Sequence, residues 1–222
     1  MSPLPHPSRD ELIAAIKAAG SGDSDFFGFP AREEGLFLQQ DPEEYADFVR
    51  YMASEVAPAD LTLDIGIAAG GQTKFLRDYY EARRTIVVDD GTHPQFPHWQ
   101  RIKRTVRTEI IAEIIDDSHS AKVRAQLLPY AGKIDVAFVD GDHSYRGLRK
   151  DIVLTAELLK VGGVMILHDT AAVGDVHRVF EDLLFSKRFV LVRNFQIRFG
   201  ISLWRLTRRW APTSIQRWLG HI

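Results

Sequence analysis

The sequence predicts a doubly wound α/β fold: a mostly parallel seven-stranded sheet with helices on both faces and an antiparallel strand at one edge. Two observations carry this. From Leu61 onward, short β-rich runs alternate with amphipathic segments of helical period, the pattern of βαβ units. The last two β-rich runs follow one another with no helical stretch between them, as an antiparallel pair would.

The runs are 61–65, 85–89, 109–115, 134–140 and 164–168, then 189–193 and 197–204. Helical spacing of apolar residues marks 72–82, 118–129, 144–160 and 175–185 between them. Upstream, Asp41-Pro42-Glu43-Glu44 reads as a helix start, with a capping acid, proline in the first turn and a glutamate three residues on. Tyr45, Phe48, Val49, Met52 and Val56 then recur at helical spacing. A shorter helical pattern covers 10–19, and 20–30 has no period. The expected organisation is an N-terminal extension or lid over 1–40, a catalytic domain over 41–204 and a basic Trp/Arg-rich tail over 205–222.

The composition bounds the chemistry. The chain has 222 residues, 45% hydrophobic and 26% charged, ordinary values for a globular unit. With no cysteine, disulfides, thiolate metal sites and cysteine nucleophiles are excluded, and a metal would rest on carboxylate, imidazole or hydroxyl ligands. The opening segment lacks the regions of a signal peptide and no apolar run approaches a membrane span, so a cytoplasmic protein is expected. Residues 193–222 hold six of the 28 basic side chains and none of the 30 acidic ones. The rest is therefore net acidic, which speaks against a nucleic-acid partner. For the tail, two readings stand: Trp side chains packed on the domain, or contact with a membrane surface.

In such sheets ligands bind beyond the carboxyl ends of the strands. The first run ends in Asp64, Gly66, Gly70 and Gly71, where glycines let backbone turn sharply and approach a ligand. The second ends in Asp89 and Asp90, acids placed to accept hydrogen bonds from ribose hydroxyls, which suits NAD and S-adenosylmethionine alike. Ala68 stands where a pyrophosphate-binding G-x-G-x-x-G would need glycine. Asp64 would disfavour a pyrophosphate but hold a methionine amine, so S-adenosylmethionine is the expected ligand. The alternatives are an NAD-dependent oxidoreductase and a non-catalytic S-adenosylmethionine-binding module.

The run 134–140 ends by presenting Asp140, Asp142 and His143, and the run 164–168 ends in His168 and Asp169. Titratable groups this dense at strand ends mark a site, although Asp142 or Ser144 also serves as a helix cap. Asp140 and Asp169, on neighbouring strands, would share one hard divalent cation. His168 is either a third ligand or a packing histidine.

Taken together, Asp64, Gly66, Gly70 and Gly71, the stretch Asp116 to His119, the stretch Phe138 to Gly147, and Gly162-Gly163 with His168-Asp169 resemble the class I S-adenosylmethionine-dependent methyltransferases. Within that class the similarity is to bacterial sugar and natural-product O-methyltransferases and cephalosporin-biosynthesis homologues, over about residues 60–185. The resemblance implies a Rossmann-like fold and cofactor contacts from Asp64, Gly66, Asp89 and the Asp117-Ser118 turn near adenine, with Asp140 at the junction of cofactor and metal sites. It implies magnesium or another divalent cation on Asp140 and Asp169, with His143 as base. Many relatives carry an acid where His168 stands, which turns the expectation toward a softer ion or none. The acceptor is a small-molecule hydroxyl, its selection expected from the N-terminal extension, the Gly91 to Trp99 loop and the segment after Asp169. A homo-oligomer remains open.

Overall fold

The computed structural model describes residues 7–20, 35–209 and 212–220. Much of the aperiodic 20–30 stretch, and Trp210 of the tail, lie outside these.

Helix α1 (Arg9–Ala19) starts at Ser8, whose side chain and that of Glu11 form a reciprocal capping box. Helix α2 (Pro42–Glu55) starts at Asp41, whose carboxylate accepts from the N–H groups of Glu43 and Glu44. The expected cap is present, but the Glu44 side chain does not reach back to it. Glu44 is 1% exposed and accepts instead from the backbone N–H groups of Ile197, Arg198, Phe199 and Gly200.

The sheet comprises β1 (Ala59–Ile65), β2 (Ala82–Asp89), β3 (Glu109–Ile115), β4 (Ile134–Val139), β5 (Leu159–Leu167), β6 (Phe189–Phe195) and β7 (Ile201–Leu206). Between them run α3 (Gly71–Tyr79), α4 (Trp99–Ile102), α5 (Ala121–Leu127), α6 (Tyr145–Leu158) and α7 (Gly174–Leu184), with α8 (Ser214–Leu219) last. The strand order is β3-β2-β1-β4-β5-β7-β6. The pairs among β1 to β5 are parallel, and β7 runs antiparallel to both β5 and β6. The expected last strand begins four residues late, at Ile201, because the amides of 197–200 bond to Glu44 rather than to a neighbouring strand.

Side chains alternate along each strand and divide the interior into two layers. On β4, Ala137 and Val139 pack with α5, α6 and α7, whereas Val136 and Phe138 pack with α1, α2 and α3. A third cluster, with Trp99, Ile67, Val87 and Phe37 at its centre, lies over the carboxyl ends of β1 and β2. Because β2 and β4 flank β1 on opposite sides, the strand order reverses at β1/β4, where a crevice opens.

Candidate active site

A cleft of about 320 Å³ lies at that reversal point, lined by the residues that follow β1, β2, β3 and β4. Its floor depends on Gly66. That residue has φ +76°, and a Cβ there would sit 2.1 Å from the backbone oxygen of Asp140, so only glycine lets the two strand ends pass this closely. Hydrogen bonds from Gly66 N–H to the Val88 carbonyl and from Asp140 N–H to the Ile65 carbonyl tie the three strand ends together.

The acids after β2 divide their work. Asp89 is 7% exposed and accepts from the N–H groups of Ile67, Ala68 and Gly91 at 2.7, 3.0 and 2.7 Å. It therefore shapes the glycine loop, including Ala68 with its left-handed φ of +47°. Asp90, exposed at the cleft, accepts from the N–H and hydroxyl of Thr92. Across the cleft, Asp117 accepts from His119 N–H, and Ser118 donates to Asp151 at 2.6 Å.

At the other end, β4 and β5 deliver an acid and imidazole cluster. His143 Nε2 stands 3.1 Å from Asp140 Oδ1 and 3.4 Å from Asp169 Oδ2. Among the described residues, Asp140, His143 and Asp169 offer ligand atoms all within 4.8 Å of one another. Asp169 has φ +59°, a conformation that costs a non-glycine residue energy and is typical of functional positions. His168 Nδ1 lies 3.5 Å from Asp140 Oδ1 and 3.3 Å from Asp169 Oδ1, and its Nε2 lies 2.8 Å from Gln40 Oε1. Burial alone would raise the Asp140 carboxyl, but the facing His168 ring and the hydrogen bond from His143 outweigh it and hold the group below the usual carboxylate range. The hydrogen bond to Asp140 raises His143 above the usual imidazole value.

Residues 63–170 match the profile of the family described as Methyltransferase domain. No curated protein matches the sequence closely enough to count as a relative. Among solved structures, the O-methyltransferase TomG from Streptomyces achromogenes, involved in tomaymycin synthesis and bound to S-adenosylmethionine, superposes with a TM-score of 0.59 at 15% identity over 90% of this chain and 91% of its own. The N-methyltransferase NodS from Bradyrhizobium japonicum, bound to S-adenosylhomocysteine, gives 0.55 at 17% over 80% and 94%. An O-methyltransferase from Bacillus cereus, bound to the same product, gives 0.54 at 14% over 93% and 94%. At these identities the likeness is one of fold. Residues 63–170 are thus similar to a methyltransferase domain, on a fold shared with these S-adenosylmethionine-dependent methyltransferases.

The cleft has the character that a ligand such as S-adenosylmethionine would need. A glycine floor admits close backbone approach, and Asp90, Asp117 and Asp142 surround it with carboxylates suited to hydroxyls and a cationic sulfonium. The second cluster likewise fits a divalent ion, with the carboxylates of Asp140 and Asp169 and the His143 imidazole in mutual reach and the His168 ring beside both acids. Three expected cofactor residues stand elsewhere. Asp64 is 1% exposed and forms an ion pair with Arg77 at 3.0 Å, because residues 62 and 64 face α3 while 63 and 65 face the opposite layer. An ion pair to Arg77 thus replaces the amine contact expected of Asp64. Gly70 and Gly71 serve packing: a Cβ at either would collide with the Trp99 ring or the Leu36 carbonyl. Asp142 lines the cleft and bonds Ser144 N–H, while Ser144 itself caps α6.

Sequence reasoning missed Asp151 and Gln40. Asp151 sits mid-helix on α6 with no exposure, receiving Ser118 and facing His119 at 3.2 Å. An acid at a core position of an amphipathic helix was its one visible signal. Gln40 had none, since it reaches the site only through the packing of α2.

Proposed function

We propose that this protein methylates a hydroxyl of a small molecule, with a divalent cation on Asp140 and Asp169 and His143 as the general base. The carrying observation is His143 Nε2, 43% exposed in its side chain and within 3.4 Å of both carboxylates. A base must reach the acceptor proton from solvent-accessible space while its basicity is raised, and His143 meets both conditions.

S-adenosylmethionine supplies an activated methyl on a sulfonium. Gly66, Asp90, Asp117 and Ser118 would hold it, with Asp89 keeping the loop around Gly66 in shape. A divalent ion supplies positive charge that acidifies a nearby hydroxyl. Asp140 and Asp169 would hold that ion. The remaining chemistry belongs to the protein: the cleft walls orient the acceptor for in-line displacement, and His143, its Nε2–H held by Asp140, accepts the hydroxyl proton at Nδ1. Asp140 stabilises the imidazolium that results. The net acidic body, apart from the basic C-terminal stretch, favours a small acceptor over nucleic acid.

The test is turnover of S-adenosylmethionine to S-adenosylhomocysteine with a panel of hydroxylated sugars and natural products. With an accepted substrate, His143→Ala should lower kcat by about 10²- to 10⁴-fold and leave S-adenosylhomocysteine affinity within twofold. Full turnover by the variant would remove His143 from the role.

A further inference from the structure

We infer that Gln40 is a positioning residue that presents His168 as a nitrogen ligand, so that Asp140, His168 and Asp169 form a mixed donor set preferring a transition-metal dication to magnesium. This rests on the cation site proposed above and extends it to the class of ion and to the residue that supports it.

His168 is buried, its side chain 5% exposed, and its ring lies between those of Phe138 and Phe199 with centroids 6.2 and 6.1 Å away. Gln40 is 3% exposed. Its Oε1, an acceptor only, sits 2.8 Å from His168 Nε2, so Nε2 carries the hydrogen. That leaves Nδ1 directed at the two carboxylates, 3.5 Å from Asp140 Oδ1 and 3.3 Å from Asp169 Oδ1, with no hydrogen bond of its own among the described residues. A histidine present only for packing would leave neither nitrogen unspent at such cost. The arrangement matches the way proteins orient metal-binding imidazoles, by bonding the other ring N–H to an oxygen.

Gln40 is itself anchored. It precedes Asp41, the cap of α2. One turn into that helix, Glu44 grips the amides of 197–200, and the Phe199 and Gly200 carbonyls accept from Thr170, Ala171 and Ala172. The same segment thus steadies His168 directly and the backbone after Asp169 indirectly. Magnesium demands near-ideal octahedral oxygen coordination, whereas a set that includes imidazole suits borderline ions such as Co²⁺ and Zn²⁺. The competing arrangement, a protonated His168 standing between the carboxylates in place of an ion, predicts that the wild type binds no divalent cation.

Calorimetric titration of the full chain with CoCl₂ and MgCl₂ decides between them. The wild type should bind Co²⁺ at least roughly tenfold more tightly than Mg²⁺. Gln40→Ala should weaken Co²⁺ by about 10- to 100-fold, and Gln40→Glu, which keeps an acceptor oxygen, should restore most of it. His168→Asp should shrink the Co²⁺/Mg²⁺ ratio and so carries the test if Gln40→Ala does not fold. Wild-type Co²⁺ affinity in Gln40→Ala, an unchanged ion ratio in His168→Asp, or no Co²⁺ binding by the wild type overturns the inference. Titration with S-adenosylhomocysteine in the same samples keeps this distinct from the methyl-transfer reading: a missing Co²⁺ response beside intact product binding overturns the ion alone.

Discussion

At the scale of single residues, several buried acids in this protein find their partners on other elements. Asp64 with Arg77 is one case, and breaking such a buried pair by removing one partner typically costs 3–5 kcal/mol. Asp151 with Ser118 and His119 is another. The hydrogen bond to Asp151 is the leading cause that raises His119 above the usual imidazole value; Asp117 adds to it, while burial and the Lys150 charge oppose it. A raised value in the folded state means that His119 contributes stability fully below its unfolded pKa of about 6.5 and loses it as pH climbs through the folded value. Denaturant melts of wild type and His119→Ala should therefore differ most at mildly acidic pH and converge on the alkaline side. A gap that widens with rising pH would contradict the sign.

At the scale of elements, the N-terminus of α2 does more than begin a helix. Asp41 caps it, Gln40 reaches His168, and Glu44 anchors the β6–β7 connection through four backbone amides. A Gly200 Cβ would lie 2.4 Å from Ala171 N, so this connection is pressed against the segment after Asp169 with no room to spare. Glu44→Gln replaces a carboxylate by an amide with one acceptor oxygen and leaves buried N–H groups unmatched, a loss of about 1–3 kcal/mol. Hydrogen exchange should localise it: the amides of Ile197, Phe199 and Gly200 should lose protection while those of β1 keep theirs. Uniform loss across the sheet would mean that Glu44 supports the whole layer instead.

At the scale of the molecule, one sheet with two helical layers brings residues 66, 90, 117 and 140 to a common cleft, and no described helix is long and apolar enough to cross a membrane. A ligand that bridges four strand ends should stabilise the fold by mass action. S-adenosylhomocysteine at about 100 times its Kd should add roughly 2.7 kcal/mol, seen as a higher Tm in scanning calorimetry. An unchanged Tm at millimolar product would count against the cleft as its binding site.

The sequence by itself determined the alternation of strands and helices, the cap at Asp41 and the strand-end positions of Asp89, Asp140, His143 and Asp169. These follow from local periodicity and from the rule that parallel strands present their carboxyl ends together. Only the tertiary structure decided that Asp64 pairs with Arg77, that Gly70 and Gly71 make room for Trp99 and Leu36, and that Gln40 meets His168 across 128 residues of chain. The physical reason is that a buried polar group takes whichever partner the packing of distant elements brings within reach, and periodicity along one chain carries no record of that meeting.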